Sequence, residues 1–490
     1  MYNVIIFTDV NVQVGYGKYA GAYRIASELR SIGATVKVID YFTRFSEEEI
    51  LLVLDKFVSK ETVFVGIAST LLESGEKLHG FNNSFFAVMK QKIKSLNFKT
   101  DLIMGGSRIN YYTNIKGIDY YFIGKADISI KEFYLHKTLN KDIIVQNFEN
   151  RNYIVTDDYP VSSQYFSKTQ IKYIKDDIID YGESLPLELA RGCIFKCSFC
   201  QYDLIGKKKT EYIKSYNILK EELIRNYEIF GTTNYLFTDE LINESIDKVE
   251  FLHELFTTLP FKITWSAYAR LDLFYSYPQM REMLQEAGAF GLVFGIETLN
   301  DEAGKSIKKG LGKKRTLETL EFLKEKYKDN VVMHSNFIIG LPHETKESIK
   351  ETINWLSSEN CTLDSYGLLP LNLRNKQDGR VISEIALNPD KFGYKSKGNI
   401  GNLLEWENEN LSFTEAVNIV KNCRNSDKFY SKLCMGTPNM MGRIMNLGYE
   451  ETELKKIIFK NKSYEESKNI IDLWTNLTVD KINNYKKNIL

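Results

Sequence analysis

At 490 residues the chain has room for about two or three domains and a large core. Its 64 Lys+Arg balance 64 Asp+Glu, which excludes a global field favouring nucleic acid or an anionic membrane. Six cysteines in so long a chain exclude a disulfide framework and fit reduced thiols. Residues 1–7 have no basic n-region and too short an apolar run for a signal peptide or a membrane span, so a cytoplasmic location is expected.

From residue 1 to 140, short apolar runs at 4–7, 36–39, 63–67, 101–104 and 120–123 alternate with amphipathic stretches such as 19–31, 47–58 and 85–96. That alternation predicts β-α-β units and an α/β, doubly wound (Rossmann-like) parallel sheet, whose ligand edge is the carboxyl end of its strands. Residues 141–183 turn polar and irregular and read as a linker. A second series, with strands near 185–189, 235–238, 263–267, 292–296, 331–339 and 365–369, predicts a partial (β/α)6 TIM-type barrel over 184–372. Beyond residue 373 helices at 415–422, 453–459 and 464–474 predict a small, mainly helical C-terminal region over 373–490.

The chemistry concentrates in Arg191-Gly192-Cys193-Ile194-Phe195-Lys196-Cys197-Ser198-Phe199-Cys200, which follows the first barrel strand on the face where barrel sites lie. Three thiolates spaced C-x3-C-x2-C can converge on one metal centre from a single loop. No fourth Cys and no His is nearby in sequence, which leaves a metal position open, as catalysis requires and a structural zinc site does not.

In this context the chain resembles the radical S-adenosylmethionine (SAM) superfamily. The resemblance implies a [4Fe-4S] cluster on Cys193, Cys197 and Cys200, with SAM chelating the open iron and Phe199 near its adenine. It extends over 185–371. The segment 235–240, with Thr238 and Glu240, is similar to the family's second strand end, and 265–270 to its third, where Arg270 would fork onto the SAM carboxylate. Gly295-Ile296-Glu297-Thr298 resembles the fourth, with Glu297 toward the ribose or ammonium, and 337–345, with Gly340, the fifth, passing the adenine.

The N-terminal half is similar to the cobalamin-binding domains of the B12-dependent members. Ser69-Thr70-Leu71 resembles the Ser-x-Leu element at the nucleotide tail, Gly105-Gly106 the double glycine, and 118–124, ending in Gly124, the last-strand segment. The usual acidic tail after that glycine is here Lys125-Ala126-Asp127. Where histidine-ligated relatives have Asp-x-His-x-x-Gly, this chain has Asp9-Val10-Asn11-Val12-Gln13-Val14-Gly15. Asn11 replaces the histidine, and an amide is a poor cobalt ligand. Cobalamin held among Asn11, Gln13, Gly15, Ser69, Leu71, Gly105, Gly106 and Gly124 would therefore lack a histidine lower ligand.

The resemblance implies reductive cleavage of SAM to methionine and a 5′-deoxyadenosyl radical, with cobalamin-dependent methylation of an unactivated carbon or phosphorus centre as the favoured outcome. Rearrangement, cyclisation or oxidation without methyl transfer is the alternative, and a non-catalytic iron–sulfur or B12-sensing module the third reading. The implied partners are a small-molecule or peptide substrate and an electron donor such as flavodoxin or ferredoxin. Cys361, Cys423 and Cys434 read as structural thiols, His334 and His343 as hydrogen-bonded structural groups, and Lys207–Lys209 and 308–314 as solvated loop charge. Tyr202 and Tyr268 are candidates to line a substrate cavity.

Overall fold

The computed structural model describes all residues except 11–13, 70–71, 75–76, 79–83, 108, 376–381, 402, 434–436 and 461; side chains at 72–74, 77–78 and 437–439 are also left out of the description. The N-terminal elements run β1 (Val4–Phe7), α1 (Ala20–Arg30), β2 (Val36–Ile39), α2 (Glu47–Phe57), β3 (Phe64–Ala68), a short hairpin of β4 (Leu72–Ser74) and β5 (Lys77–Leu78), α3 (Phe85–Leu96), β6 (Asp101–Gly106), β7 (Tyr120–Ile123) and α4 (Ser129–Leu139). The strands are continuous apolar runs because both faces of the sheet are covered by helices. Strand order β2-β1-β3-β6-β7 reverses direction of growth between β1 and β3, which opens a ligand crevice at their carboxyl ends.

The sheet does not stop at β7. β8 (Gln146–Phe148) and β9 (Arg151–Val155) lie inside the segment expected to be a linker, and β9 pairs parallel with β7 while β8 closes the edge antiparallel. Their apolar signal was too short to read: β8 is three residues with two exposed, and only Tyr153, Ile154 and Val155 of β9 are buried. After α5 (Ser163–Phe166) the chain enters the second sheet.

That sheet comprises β10 (Leu185–Leu187), β11 (Asn234–Phe237), β12 (Thr264–Ala269), β13 (Ala289–Glu297), β14 (Val332–Ile339) and β15 (Ser365–Pro370), all parallel and in chain order. Between them run α6 (Tyr216–Phe230), α7 (Ile246–Thr257), α8 (Leu271–Ser276), α9 (Met280–Glu286), α10 (Asp301–Ser306), α11 (Lys313–Tyr327) and α12 (Lys346–Leu356). Six strands without β10–β15 pairing make an open barrel. On β11, Phe237 points outward to Phe256 and Trp265 at 6.1 and 5.2 Å between rings. Alternation therefore turns Leu236 and Thr238 inward, as it does Ser266 and Tyr268 of β12.

The C-terminal region adds α13 (Glu384–Leu387), the hairpin β16 (Lys395–Ile400) and β17 (Leu403–Glu407), α14 (Phe413–Arg424), α15 (Asp427–Ser431), α16 (Thr437–Met445), α17 (Glu451–Phe459) and α18 (Tyr464–Ile489). Helices dominate, but the hairpin was not foreseen, and the region is an interlock. Met441 of α16 packs with Phe290 and Val332 at the strand starts. α18, opened by a Ser463–Glu466 capping box, sends Ile482, Tyr485 and Ile489 into the core of the N-terminal sheet. Asn446 bonds both halves, donating to Tyr16 O at 2.8 Å and accepting from Ser184 N at 2.7 Å.

Candidate active site between the two sheets

The cysteine loop is held largely by its main chain, which leaves the three thiols out of any disulfide. Gly192 sits at φ +76°, where a Cβ would lie 2.5 Å from Leu204 O, so glycine is required there. The Cys193 N–H donates to Leu204 O at 3.2 Å, Gly206 N–H donates to Cys193 O at 2.6 Å, and Ser198 N–H donates to Ile307 O at 3.2 Å. Cys193, Cys197 and Cys200 are all free and half-buried. Burial pushes the Cys193 thiol up to about 11 and raises that of Cys200.

Arg270 Nη1 donates to Cys197 Sγ at 3.4 Å, which places a fixed cation against a sulfur that would carry negative charge. Among the described residues no three His, Cys, Asp or Glu side chains are gathered around a single-ion site. A four-iron cluster does not need that convergence, because each cysteine binds a different iron. Three thiols on one loop with an arginine behind them thus fit such a cluster better than a lone zinc.

The residues expected around SAM divide. Glu240 Oε2 accepts the Gly192 N–H at 2.8 Å, with its carboxyl raised by burial, and Thr238 donates to Leu187 O. Arg270 is not a free fork: Asp272 holds it through Nε–Oδ1 at 2.9 Å and Nη2–Oδ2 at 2.6 Å, and it lies 3.8 Å over the Phe195 ring. Glu297 has φ +71° at a register shift between β13 and β14, an uncommon backbone state for glutamate. Its carboxylate pairs with Lys309 at 3.2 Å, and the same ammonium lies 5.9 Å from the Phe199 ring centroid. Glu240 and Arg270 thus contact the cysteine loop directly, and Glu297 reaches it through Lys309, whose ammonium lies near Phe199 of the loop. Gly340 stands apart, buried under the C-terminal hairpin: a Cβ there would lie 2.4 Å from Trp406, and its carbonyl accepts from Tyr394 OH at 2.6 Å.

A cavity of about 430 Å³ joins this loop to the carboxyl edge of the N-terminal sheet, within the size range of cofactor sites. Ser69, Gly105, Gly106 and Gly124 line one side, and Glu188, Arg191, Thr238 and Glu240 the other. Gly106, at φ +122°, abuts Ser69: a Cβ would meet its Oγ at 2.5 Å, so the glycine keeps this end open. Gly124, at φ +88°, backs onto Thr156. Gly15 instead packs on the C-terminal region, its N–H donating to Thr478 Oγ1 at 2.8 Å. Asn11, Gln13 and Leu71 lie outside the described residues, as does Cys434. The open cradle fits a ligand laid along the sheet edge, and no histidine occurs in the β1 loop to ligate a metal there.

Several participants escaped the sequence reading. Asp127, Arg24, Glu188 and Arg191 form a buried charge network in the cavity wall. Lys309 and Lys207 are not solvated charge: Lys207 is buried against Glu244 at 3.0 Å. His334 is buried between Ser365 Oγ at 2.7 Å and Asn336 Oδ1 at 3.2 Å, its pKa lowered by burial to about 4, in keeping with a structural role. Tyr202 and Tyr268 are exposed, at 58% and 37%. Sequence spacing could not signal these pairings, which cross elements.

Residues 187–356 match the radical SAM superfamily. An uncharacterised methyltransferase of Pyrococcus horikoshii is 24% identical over 280 residues, covering 54% of this chain and 59% of that protein. Bacteriochlorophyllide d C-12(1)-methyltransferase of Chlorobaculum tepidum is 22% identical over 189 residues, covering 39% of this chain and 41% of that enzyme. In fold, the chain is similar to the radical SAM methyltransferase TsrM of Kitasatospora setae, solved with tryptophan and a SAM analogue, at a TM-score of 0.59 and 15% identity, over 82% of this chain and 79% of that one. The matches span about three fifths or less of the two curated relatives.

Proposed function

We propose, from the premise that residues 187–356 form a radical SAM domain, that this chain is a cobalamin-dependent radical SAM methyltransferase acting on an unactivated carbon or phosphorus centre. The observation that carries the reading is the cavity itself: Ser69, Gly105, Gly106 and Gly124 open onto Thr238 and Glu240, and Glu240 is bonded to the residue before Cys193. The methyltransferase names of the relatives and the cobalamin and [4Fe-4S] cluster bound in TsrM support it.

Cys193, Cys197 and Cys200 would hold the cluster, Phe199, Thr238, Glu240, Arg270 and Glu297 would surround SAM, and the N-terminal sheet edge would hold cobalamin without a histidine lower ligand. Bound there, these groups supply reductive cleavage of SAM and methyl transfer. The chain's own share is positioning. Glu240 and Arg270 brace the cysteine loop from two sides, Lys309 fixes the Glu297 carboxylate, and the largely apolar cavity wall excludes water. An electron donor of the flavodoxin or ferredoxin type, a small-molecule or peptide substrate and a reducing cytoplasmic compartment complete the proposal. Among the described residues no helix is long and apolar enough to cross a membrane.

The test is anaerobic reconstitution with iron, sulfide and hydroxocobalamin, followed by product analysis. Methyl transfer yields S-adenosylhomocysteine together with 5′-deoxyadenosine. 5′-Deoxyadenosine alone would favour rearrangement, cyclisation or oxidation, and a protein without affinity for hydroxocobalamin would refute the cobalamin reading.

A further inference from the structure

One cation in the cavity wall takes no part in the site so far described. Arg443 lies on α16, and its carbonyl accepts the Tyr16 N–H at 3.0 Å. Its stem crosses the β1–α1 loop so closely that a Cβ on Gly15 would lie 2.7 Å from Arg443 Cβ. The side chain thereby reaches the cavity. The other cations of the lining are paired: Lys18 with Asp40 at 3.2 Å, Arg24 and Arg191 with Asp127 at 2.9 and 2.8 Å, and Lys125 with Asp203 at 3.2 Å. Among the described residues no hydrogen bond or ion pair reaches the half-buried Arg443 guanidinium, and the ionisable side chains beside it are Tyr41, Tyr19 and Tyr268, phenols that carry no charge at neutral pH. A guanidinium cannot escape by losing its proton, and one held half out of water at a cavity wall gains from an anionic partner.

We propose that Arg443 is an anion-recognition residue of this cavity, taking an oxyanion, phosphodiester or carboxylate, of the molecule bound there. The proposal rests on the cavity being a cofactor and substrate site. Arginine suits the task because its planar fork meets both oxyanions with two parallel hydrogen bonds. The anion has two sources: the phosphodiester of a nucleotide-tailed corrinoid, or the substrate.

Full-length, anaerobically reconstituted wild type, Arg443→Met and Arg443→Lys are titrated with hydroxocobalamin, with dicyanocobinamide, which lacks the phosphodiester, and with inorganic phosphate at constant ionic strength. With the cofactor as source, Arg443→Met weakens hydroxocobalamin about 10- to 100-fold, leaves dicyanocobinamide unchanged, and Arg443→Lys recovers part of the loss. With the substrate as source, both corrinoids bind Arg443→Met as they bind wild type, and phosphate raises the unfolding midpoint of wild type and Arg443→Lys but not of Arg443→Met. Equal binding of all three probes by wild type and folded Arg443→Met overturns the proposal, as does equal weakening of both corrinoids without a phosphate effect. If neither corrinoid binds wild type, the cobalamin reading fails and the phosphate arm alone decides on Arg443. Should Arg443→Met not fold, Arg443→Gln carries the same comparison.

Discussion

Asp127 presents both carboxylate oxygens to the guanidinium of Arg191, with Nη2–Oδ1 at 2.8 Å and Nη1–Oδ2 at 2.9 Å. Asp127 stands at the carboxyl edge of the N-terminal sheet, and Arg191 opens the cysteine loop. The pair therefore bolts one wall of the cavity to the other, and Arg24 shares the same carboxylate at 2.9 Å.

Burial alone would raise the Asp127 carboxyl, but Arg191 and then Arg24 outweigh it and hold it well below the usual carboxylate range. A depressed folded-state pKa contributes stability above the unfolded value that is lost as pH falls through the folded one. Asp127→Ala removes the carboxylate that both guanidiniums share, leaving Arg191 on Glu188 at 2.6 Å and Arg24 on Glu28 at 2.5 Å, and should cost about 1.5–3 kcal/mol at neutral pH, with the gap to wild type closing in acid. Thermal unfolding across pH checks this, and a loss under about 1 kcal/mol, the worth of a surface pair, would contradict it.

The β/α series could be read from sequence because buried parallel strands are continuous apolar runs, and the cysteine loop because its ligands are local. β8 and β9 could not, since Gln146-Asn147 carries no apolar period. Asp127 and Arg191 are 64 residues apart, and Tyr16 and Arg443 meet only through the fold, so neither pairing leaves a mark in local spacing. Gly340 was expected within the fifth-strand element that passes the adenine; its close neighbour is Trp406 of the hairpin, an element the sequence did not show.

Cys197→Ala should abolish iron loading and the cluster's visible absorbance after reconstitution, and with them 5′-deoxyadenosine formation. Cys361→Ala and Cys423→Ala should retain all three, because these thiols lie away from the loop, Cys361 buried and Cys423 half-buried. Iron content and absorbance retained in Cys197→Ala would remove the cluster assignment, whereas loss in Cys361→Ala would point to an additional ligand.

Glu344 accepts from Gly340 N at 2.9 Å, Leu341 N at 3.1 Å and Thr298 Oγ1 at 2.7 Å, yet burial pushes its carboxyl from the ordinary 4.5 up to about 7. A raised folded-state pKa contributes stability that is complete below the unfolded value and lost as pH rises through the folded one. Wild type should therefore lose about 3 kcal/mol relative to Glu344→Gln between pH of about 4.5 and 7. Unfolding midpoints of both proteins over that window are the measurement, and parallel curves would show that the hydrogen bonds already hold the carboxylate ionised.

Gly340→Ala separates packing from SAM binding. The substitution forces a side chain to φ +97° and drives its Cβ to 2.4 Å from Trp406, so strain and overlap together should cost about 2–5 kcal/mol. In a Trp406→Ala background the overlap is gone, and the same change should cost only the strain, about 1–3 kcal/mol. A double-mutant cycle by thermal unfolding isolates the difference. The SAM affinity of the folded fraction should stay that of wild type in every variant of the cycle. If Gly340→Ala instead lowers SAM affinity about ten-fold while stability holds, a shift of about 1.4 kcal/mol, then the glycine serves the adenine and Trp406 is incidental.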